Sequence, residues 1–451
     1  MIHKFCFDGR KMVLDVNSGA LHVVDDLTWE LLDGYPDFTR EELTARCSGR
    51  YHAADIAEAL DEISTLVKEG LLFSPDPLNG RYDPPESGVI KALCLHLAHD
   101  CNLSCRYCFA GQGHFNGPAG LMPFAVGRQA LDFLFSRAGN RRHVEVDFFG
   151  GEPLLNFGVL KELVAYGREK AAAAGKQIKF TVTTNGVLLT PETGRYLNEN
   201  NLAVVLSLDG RPEVHDAMRP FPAGRGSYAL VAENIRRFVA TRPEQEYYVR
   251  GTFTCHNLDF AQDVLHLAGL GFEHVSVEPV VAPYEAEYAL RPEHVPAVCT
   301  EYEKLAGALL KRIRRGQKIN FYHFNIDLDG GPCLPKRLSG CGAGHEYLAV
   351  APDGSLYPCH QFVGRPGYRM GHVAYGIDTP ELVQVFRQAH VYNKEDCPGC
   401  WARFFCSGGC HANAHAFHGN LSQPYELACR LIKKRLECAF YLKTELAGIK
   451  I

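Results

Sequence analysis

The sequence predicts an α/β protein built on a partial, TIM-like (β/α)6 barrel, with a winged-helix-like domain before it and a cysteine-rich domain after it. Three observations lead to this prediction. The first 26 residues alternate apolar and polar positions, the middle of the chain alternates apolar runs with amphipathic segments, and nine of the 17 cysteines follow residue 325. Alternating strand and helix patterns predict a parallel sheet. The predicted domains are 1–82, 83–325 and 326–451.

Composition and charge narrow the class of protein. The chain has 451 residues, 46% hydrophobic and 22% charged, which is typical of a globular protein of several domains. A net charge of -5 gives no electrostatic footprint for nucleic acid or an anionic membrane. No apolar run is long enough to span a bilayer, and the N-terminus lacks a signal-peptide core. We therefore expect a cytoplasmic protein with neither a nucleic-acid nor a membrane partner.

The N-terminal domain begins with three predicted antiparallel strands, separated by turn residues at Asp8-Gly9 and at 17–19. Helical periodicity then predicts three helices and a return to strand. The predicted helices are 28–32, 39–47 with Thr39 as N-cap, and 53–69, and the predicted strand is 71–73.

The barrel prediction rests on six apolar strand cores separated by helices. The strand cores are 91–97, 143–149, 179–184, 203–208, 247–254 and 274–281, and the clearest helices are 123–138, 156–174, 227–240 and 258–269. In such folds the chemistry collects at the C-terminal ends of the strands.

A three-cysteine loop follows the first of these strands. Cys101, Cys105 and Cys108 have C-x3-C-x2-C spacing, with Tyr107 beside the last of them. Three thiolates can hold three irons of a [4Fe–4S] cube and leave the fourth iron open, whereas an electron-transfer cube normally has four. Zinc is the alternative, but a zinc site usually needs a fourth Cys or His. Tyr107 would shield the cluster edge from water.

Glycine and polar residues occupy the next three strand ends. They are Gly150, Gly151, Glu152 and Pro153 after the second strand, Thr184 and Asn185 after the third, and Ser207 and Asp209 after the fourth. Alone, each segment is an ordinary turn. At successive strand ends beside the cysteine loop, they predict one shared pocket.

The C-terminal domain carries a second cysteine pattern. Its members are Cys341, Cys359, Cys397, Cys400, Cys406, Cys410 and Cys429, with Cys333 upstream as a further candidate ligand. In a large chain without an export signal, clustered cysteines indicate metal ligands rather than disulfides, and paired zinc sites are the alternative to iron. Oxygen-labile clusters would indicate an anaerobe.

Other cysteines and histidines are interpreted as structural. Cys6, Cys47, Cys94, Cys255, Cys299 and Cys438 fit no ligand spacing, and a buried free cysteine behaves as a small apolar residue. His411, His415 and His418 share one helix face, a spacing that ordinary helices also show.

The three-cysteine motif, with its aromatic residue, resembles the radical S-adenosylmethionine (SAM) superfamily. In that family the segment matching Gly150 to Pro153 holds the methionyl amine of SAM, and the segment matching Ser207 to Gly210 lines its ribose and carboxylate side. The C-terminal pattern resembles the SPASM domain with two auxiliary [4Fe–4S] clusters. By that resemblance, Cys397, Cys400, Cys406 and Cys429 hold the distal cluster. Cys341, Cys359 and Cys410 hold the nearer one, with Cys333 as its fourth ligand or with an iron left open.

The whole chain resembles thioether-forming maturases, most closely those of SCIFF peptides, in which the N-terminal domain binds a leader peptide at a sheet edge. The resemblance implies three [4Fe–4S] clusters, SAM, a cysteine-rich precursor peptide with a leader, and an electron donor such as flavodoxin or ferredoxin. A 5′-deoxyadenosyl radical would take hydrogen from a peptide carbon, and the auxiliary clusters would accept the second electron of thioether formation. The alternatives are carbon–carbon cross-linking, formylglycine formation, or a non-catalytic iron–sulfur carrier.

Overall fold

The computed structural model describes residues 1–84, 88–242, 246–328 and 334–447, and residues 334 and 335 by their backbone alone. The strands are β1 (Ile2–Phe7), β2 (Arg10–Asp15), β3 (Leu21–Val24), β4 (Ala92–His99), β5 (Gly120–Leu121), β6 (His143–Gly150), β7 (Gln177–Thr184), β8 (Ala203–Ser207), β9 (Tyr247–Phe253), β10 (His274–Pro279), β11 (Asn320–Phe321), β12 (Tyr347–Val350), β13 (Ser355–Tyr357), β14 (Gly371–His372) and β15 (Gly376–Ile377).

The helices complete the element order. They are α1 (Asp26–Leu31), α2 (Arg40–Cys47), α3 (Ala53–Lys68), α4 (Phe124–Arg137), α5 (Phe157–Ala173), α6 (Pro191–Glu199), α7 (Pro212–Met218), α8 (Tyr228–Val239), α9 (Phe260–Gly269), α10 (Val295–Arg314), α11 (Leu334–Ser339), α12 (Pro380–Gln388), α13 (Arg403–Cys406), α14 (His411–His418) and α15 (Glu426–Glu445). Short 3-10 helices cover Pro153–Asn156, Pro292–His294, Tyr322–Phe324 and His360–Phe362.

The N-terminal unit is a three-stranded antiparallel sheet followed by three helices. The strand order is β1-β2-β3, and α1 to α3 cover one face around a core that includes Val13, Leu31 and Ile63. The Thr39 side chain accepts from Glu42 N, so the expected N-cap of α2 is confirmed. The predicted strand at 71–73 is wrong. Phe73 has a φ of 50°, which is incompatible with a strand, and Leu72 instead packs into the helical core.

The six predicted barrel strands form one parallel sheet. Strands β4, β6, β7, β8, β9 and β10 pair side by side in chain order, each parallel to the next. Every residue of β4 is buried, as expected for a strand covered on both faces. Leu93, Leu95 and Leu97 pack toward the helices, whereas Cys94 belongs to a smaller cluster on the opposite face. The C-terminal ends of these strands all lie at one edge of the sheet.

The C-terminal region continues this sheet instead of standing apart. Strand β12 pairs in parallel with β4, and β13 to β15 extend the sheet beyond it. Helix α15 packs against α10 and against β1, where Phe7 stacks on Tyr441 at 4.2 Å between ring centroids. The main hydrophobic core therefore contains residues from all three predicted domains. The domain boundaries themselves stay a prediction. Within the described ranges, we find no helix with the length and apolar character needed to cross a bilayer.

Candidate functional site

The three-cysteine loop leaves the C-terminal end of β4, the strand between β6 and β12. Burial, together with the nearby thiols of Cys105 and Cys108, raises the pKa of Cys101 to about 12. The backbone N–H of Leu103 donates to the Cys101 sulfur, and Asn185 Nδ2 lies 3.7 Å from it. Three neighbouring thiols with hydrogen-bond donors directed at a sulfur fit an iron–sulfur cluster, because such bonds tune cluster chemistry.

A second segment holds this loop in place, and sequence reasoning assigned it no role. The backbone N–H groups of Ser104 and Arg106 donate to the carbonyls of Pro220 and Met218, each at 2.9 Å. These two bonds lie on either side of Cys105. The only sequence signal was the V-H-D-A-M-R-P run that follows β8, which carries no ligand spacing.

Tyr107 belongs to a buried polar network. Its hydroxyl donates to Asp209 Oδ2 at 2.6 Å and accepts from Arg219 Nη1 at 2.8 Å. Burial raises the pKa of Asp209 to about 6, while Arg219 and Tyr107 oppose that shift. Arg219 also lowers the pKa of Cys105, against the effect of burial. Tyr107 therefore joins the cysteine loop to the end of β8, besides any shielding of a cluster.

The two glycines after β6 allow close approach between backbones. A Cβ on Gly151 would lie 2.1 Å from the carbonyl oxygen of Asp100, and one on Gly150 would lie 2.3 Å from that of Ala98. Both glycines thus admit the backbone that leads into the cysteine loop, so any side chain here would displace that loop. Their predicted contact with a ligand stays a prediction.

Glu152 ties two strand ends together. Its side chain is fully buried and accepts hydrogen bonds from Leu154 N, Thr184 Oγ1 and Asn185 N at 3.1, 2.8 and 2.8 Å. Burial raises the pKa of Glu152 to about 7, although these three bonds lower it. Asn185 reaches the cysteine loop through Asn102 Oδ1 at 2.7 Å. The predicted residues of β6 and β7 thus meet beside Cys101.

The remaining predicted pocket residues lie at the same edge. Pro153 begins the 3-10 helix that follows Glu152, and Ser207 is the half-buried last residue of β8. The fit to SAM therefore rests on three adjoining strand ends that surround the cysteine loop. Within the part of the chain that the structure describes, the buried Arg219 Nε has no hydrogen-bond partner. The roles of the predicted pocket residues as SAM contacts stay a prediction.

The C-terminal cysteines separate into two groups. Burial and the nearby thiols of Cys406, Cys397 and Cys400 raise the pKa of Cys429 to about 12. This distal group joins a cysteine of α15 to the segment that contains α13. These four thiols lie within electrostatic range of one another, and their assignment as ligands of a distal cluster stays a prediction.

The second group contains Cys341, Cys359 and Cys410. Burial raises the pKa of Cys359, and the thiols of Cys410 and Cys341 add to that effect. Cys359 follows β13, so this nearer group lies against the sheet that extends from β4. The candidate ligand Cys333 falls at 329–333, outside the described residues.

Among the residues that the structure describes, no three Cys, His or carboxylate side chains converge tightly enough to hold a single metal ion. The histidines of α14 diverge: His411 contacts Lys394, His415 contacts Arg365, and His418 pairs with Glu426. Cys47, Cys94 and Cys438 are buried, Cys255 and Cys299 are half-buried and Cys6 is exposed, as expected of core and surface positions.

Comparison with known proteins gives one family and several relatives. A family described as "4Fe-4S single cluster domain" matches residues 87–231. The cysteine-type anaerobic sulfatase-maturating enzyme of Clostridium novyi (strain NT) is 24% identical over 346 residues, 72% of this chain and 88% of that protein.

Two solved structures share the fold. The anSMEcpe structure with bound AdoMet and Cp18Cys peptide has a TM-score of 0.66 at 21% identity and covers 80% of this chain and 99% of its own. Streptococcus suis SuiB bound to precursor peptide SuiA has a TM-score of 0.52 at 14% identity and covers 94% of this chain and 98% of its own. In sequence, the chain is thus similar to an anaerobic sulfatase-maturating enzyme, and its fold is similar to those of anSMEcpe and SuiB.

Proposed function

We propose that this protein is a radical SAM maturase that forms thioether cross-links between a cysteine sulfur and a carbon of another residue in a ribosomally made, cysteine-rich peptide. One observation carries the proposal. The chain combines the three-cysteine loop at the sheet edge with two further cysteine groups and with an N-terminal sheet whose outer strand is open. Each part answers one need of the reaction: hydrogen abstraction, removal of the second electron, and capture of a peptide.

The residues of the chain have separate tasks in this proposal. Cys101, Cys105 and Cys108 hold the cluster that binds SAM, and the strand ends that carry Glu152 and Asp209 enclose it. Bound SAM and its cluster supply the radical chemistry that removes a hydrogen atom from a peptide carbon. The distal and nearer cysteine groups hold the auxiliary clusters. Tyr107, half-buried beside Cys108, would help to keep water from the reacting atoms.

The N-terminal unit supports a peptide substrate with a leader. An open groove runs between β3 and α3, lined by apolar and acidic side chains. The lining includes Val23, Val24, Ile63, Leu66, Asp25, Glu58, Asp61 and Glu62. An extended peptide could add a strand to β3 and pack on α3, as in β-strand addition. The four carboxylates favour a leader that carries Lys or Arg beside its apolar residues.

Likeness to SuiB supports the same point. It covers 94% of this chain, too much to omit the N-terminal unit, and that SuiB structure holds a precursor peptide. The anSMEcpe structure, which also holds a peptide, covers 80%.

Replacing Val23 with proline is expected to weaken leader binding by at least about tenfold, or about 1.4 kcal/mol. Asp15 N donates to Ala20 O, so the antiparallel alternation turns the N–H of Val23 toward the open edge. Proline removes that donor but leaves the pairing with β2. The affinity for the leader can be measured by fluorescence anisotropy. The labelled leader would be taken from a short cysteine-rich reading frame beside the gene. The matched control is Val23→Thr, which keeps the N–H. Equal affinities of all three proteins would move the leader site elsewhere.

The test of function is anaerobic turnover with SAM, a reductant and the full precursor peptide. The proposal expects 5′-deoxyadenosine and a peptide lighter by two hydrogens for each cross-link, with the loss located at a cysteine and a second residue by tandem mass spectrometry. Alkylation of free thiols should then reach one cysteine fewer per link. Unchanged alkylation together with loss of two hydrogens would indicate a carbon–carbon cross-link instead.

Formylglycine formation is the second candidate, because the likeness to the C. novyi enzyme spans 72% of this chain. A cysteine-containing sulfatase peptide separates the two. Conversion to the aldehyde, trapped by a hydrazine reagent, would favour this candidate, whereas inertness beside turnover of the leader-bearing peptide would favour the thioether maturase.

A further inference from the structure

Lys394 is a fully buried lysine in the C-terminal region, in the segment between α12 and Cys397. Its side chain is 1% exposed. The Nζ atom donates to the carbonyl of Gly408 at 2.7 Å and lies 3.2 Å from His411 Nδ1. Neither partner is an anion. An ammonium removed from water costs several kcal/mol unless a negative charge compensates it.

Cysteines of both C-terminal groups lie close to Lys394 along the chain. Cys397 follows it by three residues, and Gly408, whose carbonyl accepts from Nζ, stands between Cys406 and Cys410. Burial lowers the pKa of Lys394, and four thiolates oppose that shift. Two of them, Cys397 and Cys406, belong to the distal group. The other two, Cys410 and Cys341, belong to the nearer group. Lys394 therefore lies between the two groups, within electrostatic range of each.

The turn that joins the groups makes room for the lysine. Gly408 has a φ of +79°, and a Cβ there would lie 3.0 Å from Lys394 Cδ and 3.4 Å from Nζ. Gly408 stands between Cys406, a distal ligand, and Cys410, a nearer one. The backbone of Lys394 is also held, because its N–H donates to the His390 carbonyl at 3.1 Å. Both the side chain and the backbone of Lys394 are therefore held in place.

A [4Fe–4S] cube held by thiolates is an anion, and reduction adds one more negative charge to it. A buried cation nearby stabilises the reduced form more than the oxidised form, which raises the reduction potential. In a dry interior this effect is large because solvent does not screen it.

We propose that Lys394 is a positioning residue whose buried ammonium compensates the charge of both auxiliary clusters and raises their reduction potentials, so that they accept the electron released by the peptide. This inference rests on the proposed function, since it needs clusters in both cysteine groups.

Potentiometric titration followed by electron paramagnetic resonance would test it, on the anaerobically reconstituted full chain and on Lys394→Met and Lys394→Gln. We expect the reduction equilibrium of at least one auxiliary cluster to weaken by tenfold or more, which is about 59 mV for one electron. The cluster of the three-cysteine loop should keep its potential. Lys433→Met is the matched control, because Lys433 is half-buried and lowers the pKa of Cys429 from α15, where solvent screens it. Its shift should be clearly smaller.

Unchanged auxiliary potentials in both Lys394 variants at full iron content would overturn the inference. If both variants fail to load iron, Lys394→Arg decides. Loading with arginine supports charge compensation, and failure with arginine shows that only the shape of lysine matters, which also overturns it. The proposed function fails separately: a wild-type protein with about four irons and zinc in place of the rest would remove the auxiliary clusters altogether.

Discussion

Cys105→Ala is expected to abolish SAM cleavage and to remove one cluster of three. The wild-type protein should bind about twelve irons after anaerobic reconstitution, and the variant about eight, because each cube holds four. Cys105 lies between the two backbone bonds that anchor the loop, so replacement of its sulfur leaves the loop tied to Pro220 and Met218. The effect should therefore come from the lost ligand. Iron and sulfide assays, with chromatographic detection of 5′-deoxyadenosine, measure both outcomes.

Cys255→Ala is the matched control for this experiment. Cys255 lies just past the end of β9, at the same sheet edge, and its thiol donates to the Glu287 carbonyl at 3.1 Å. It belongs to none of the three cysteine groups, so this variant should keep about twelve irons and wild-type SAM cleavage. Retention of all twelve by Cys105→Ala would mean that this loop does not hold a cube, and the assignment of the SAM site would be wrong.

Much of this site could be predicted because its signals are local. The C-x3-C-x2-C motif and the glycine pair at Gly150 are each only a few residues long, so each can be recognised in the sequence. Parallel strands then bring their C-terminal ends to one edge of the sheet. Those two facts alone predict that Cys101 and Glu152 come close, and Asn185 contacts both in the structure. Likewise, the six strand cores repeat a pattern that a parallel sheet imposes.

Features that depend on distant partners could not be predicted. Arg219 reaches Tyr107, 112 residues away, and a buried arginine has no sequence signature. In the sequence, Lys394 looks like an ordinary surface lysine, but in the structure its side chain is buried against Gly408. The LLF run at 71–73 has the apolar character of a strand, but Phe73 turns into a left-handed conformation that ends any pairing. Tertiary packing decided each case against local propensity.

The sheet places the three-cysteine loop and the nearer cysteine group side by side. Strand β12 pairs with β4, so the segment that carries the nearer group continues the strand order of the barrel beside the SAM loop. Phe109, next to Cys108, has its ring centroid 5.7 Å from that of His360, next to Cys359. The three-cysteine loop and the segment that carries Cys359 are therefore in direct contact through these two rings.

Cys429→Ala is expected to separate SAM cleavage from cross-linking. Forming a thioether removes two electrons from the peptide, and SAM accepts only one. Loss of the distal cluster should therefore leave 5′-deoxyadenosine formation within a few-fold of wild type but reduce cross-linked peptide at least about a hundredfold, or about 2.7 kcal/mol. Iron should fall from about twelve to about eight. Mass spectrometry of the peptide and quantification of 5′-deoxyadenosine in the same reaction give the ratio.

Helix α15 supplies the control for this variant. Cys438 is a fully buried thiol on the same helix and belongs to neither C-terminal group, so Cys438→Ala removes a sulfur of equal size from the same element. The small cavity should cost about 1 kcal/mol of stability and leave both the iron content and the ratio of product to 5′-deoxyadenosine unchanged. If Cys429→Ala, with only about eight irons, cross-links as well as Cys438→Ala, the second electron must leave the peptide without the distal cluster. Only the nearer group, with Cys341, Cys359 and Cys410, would then remain to accept it.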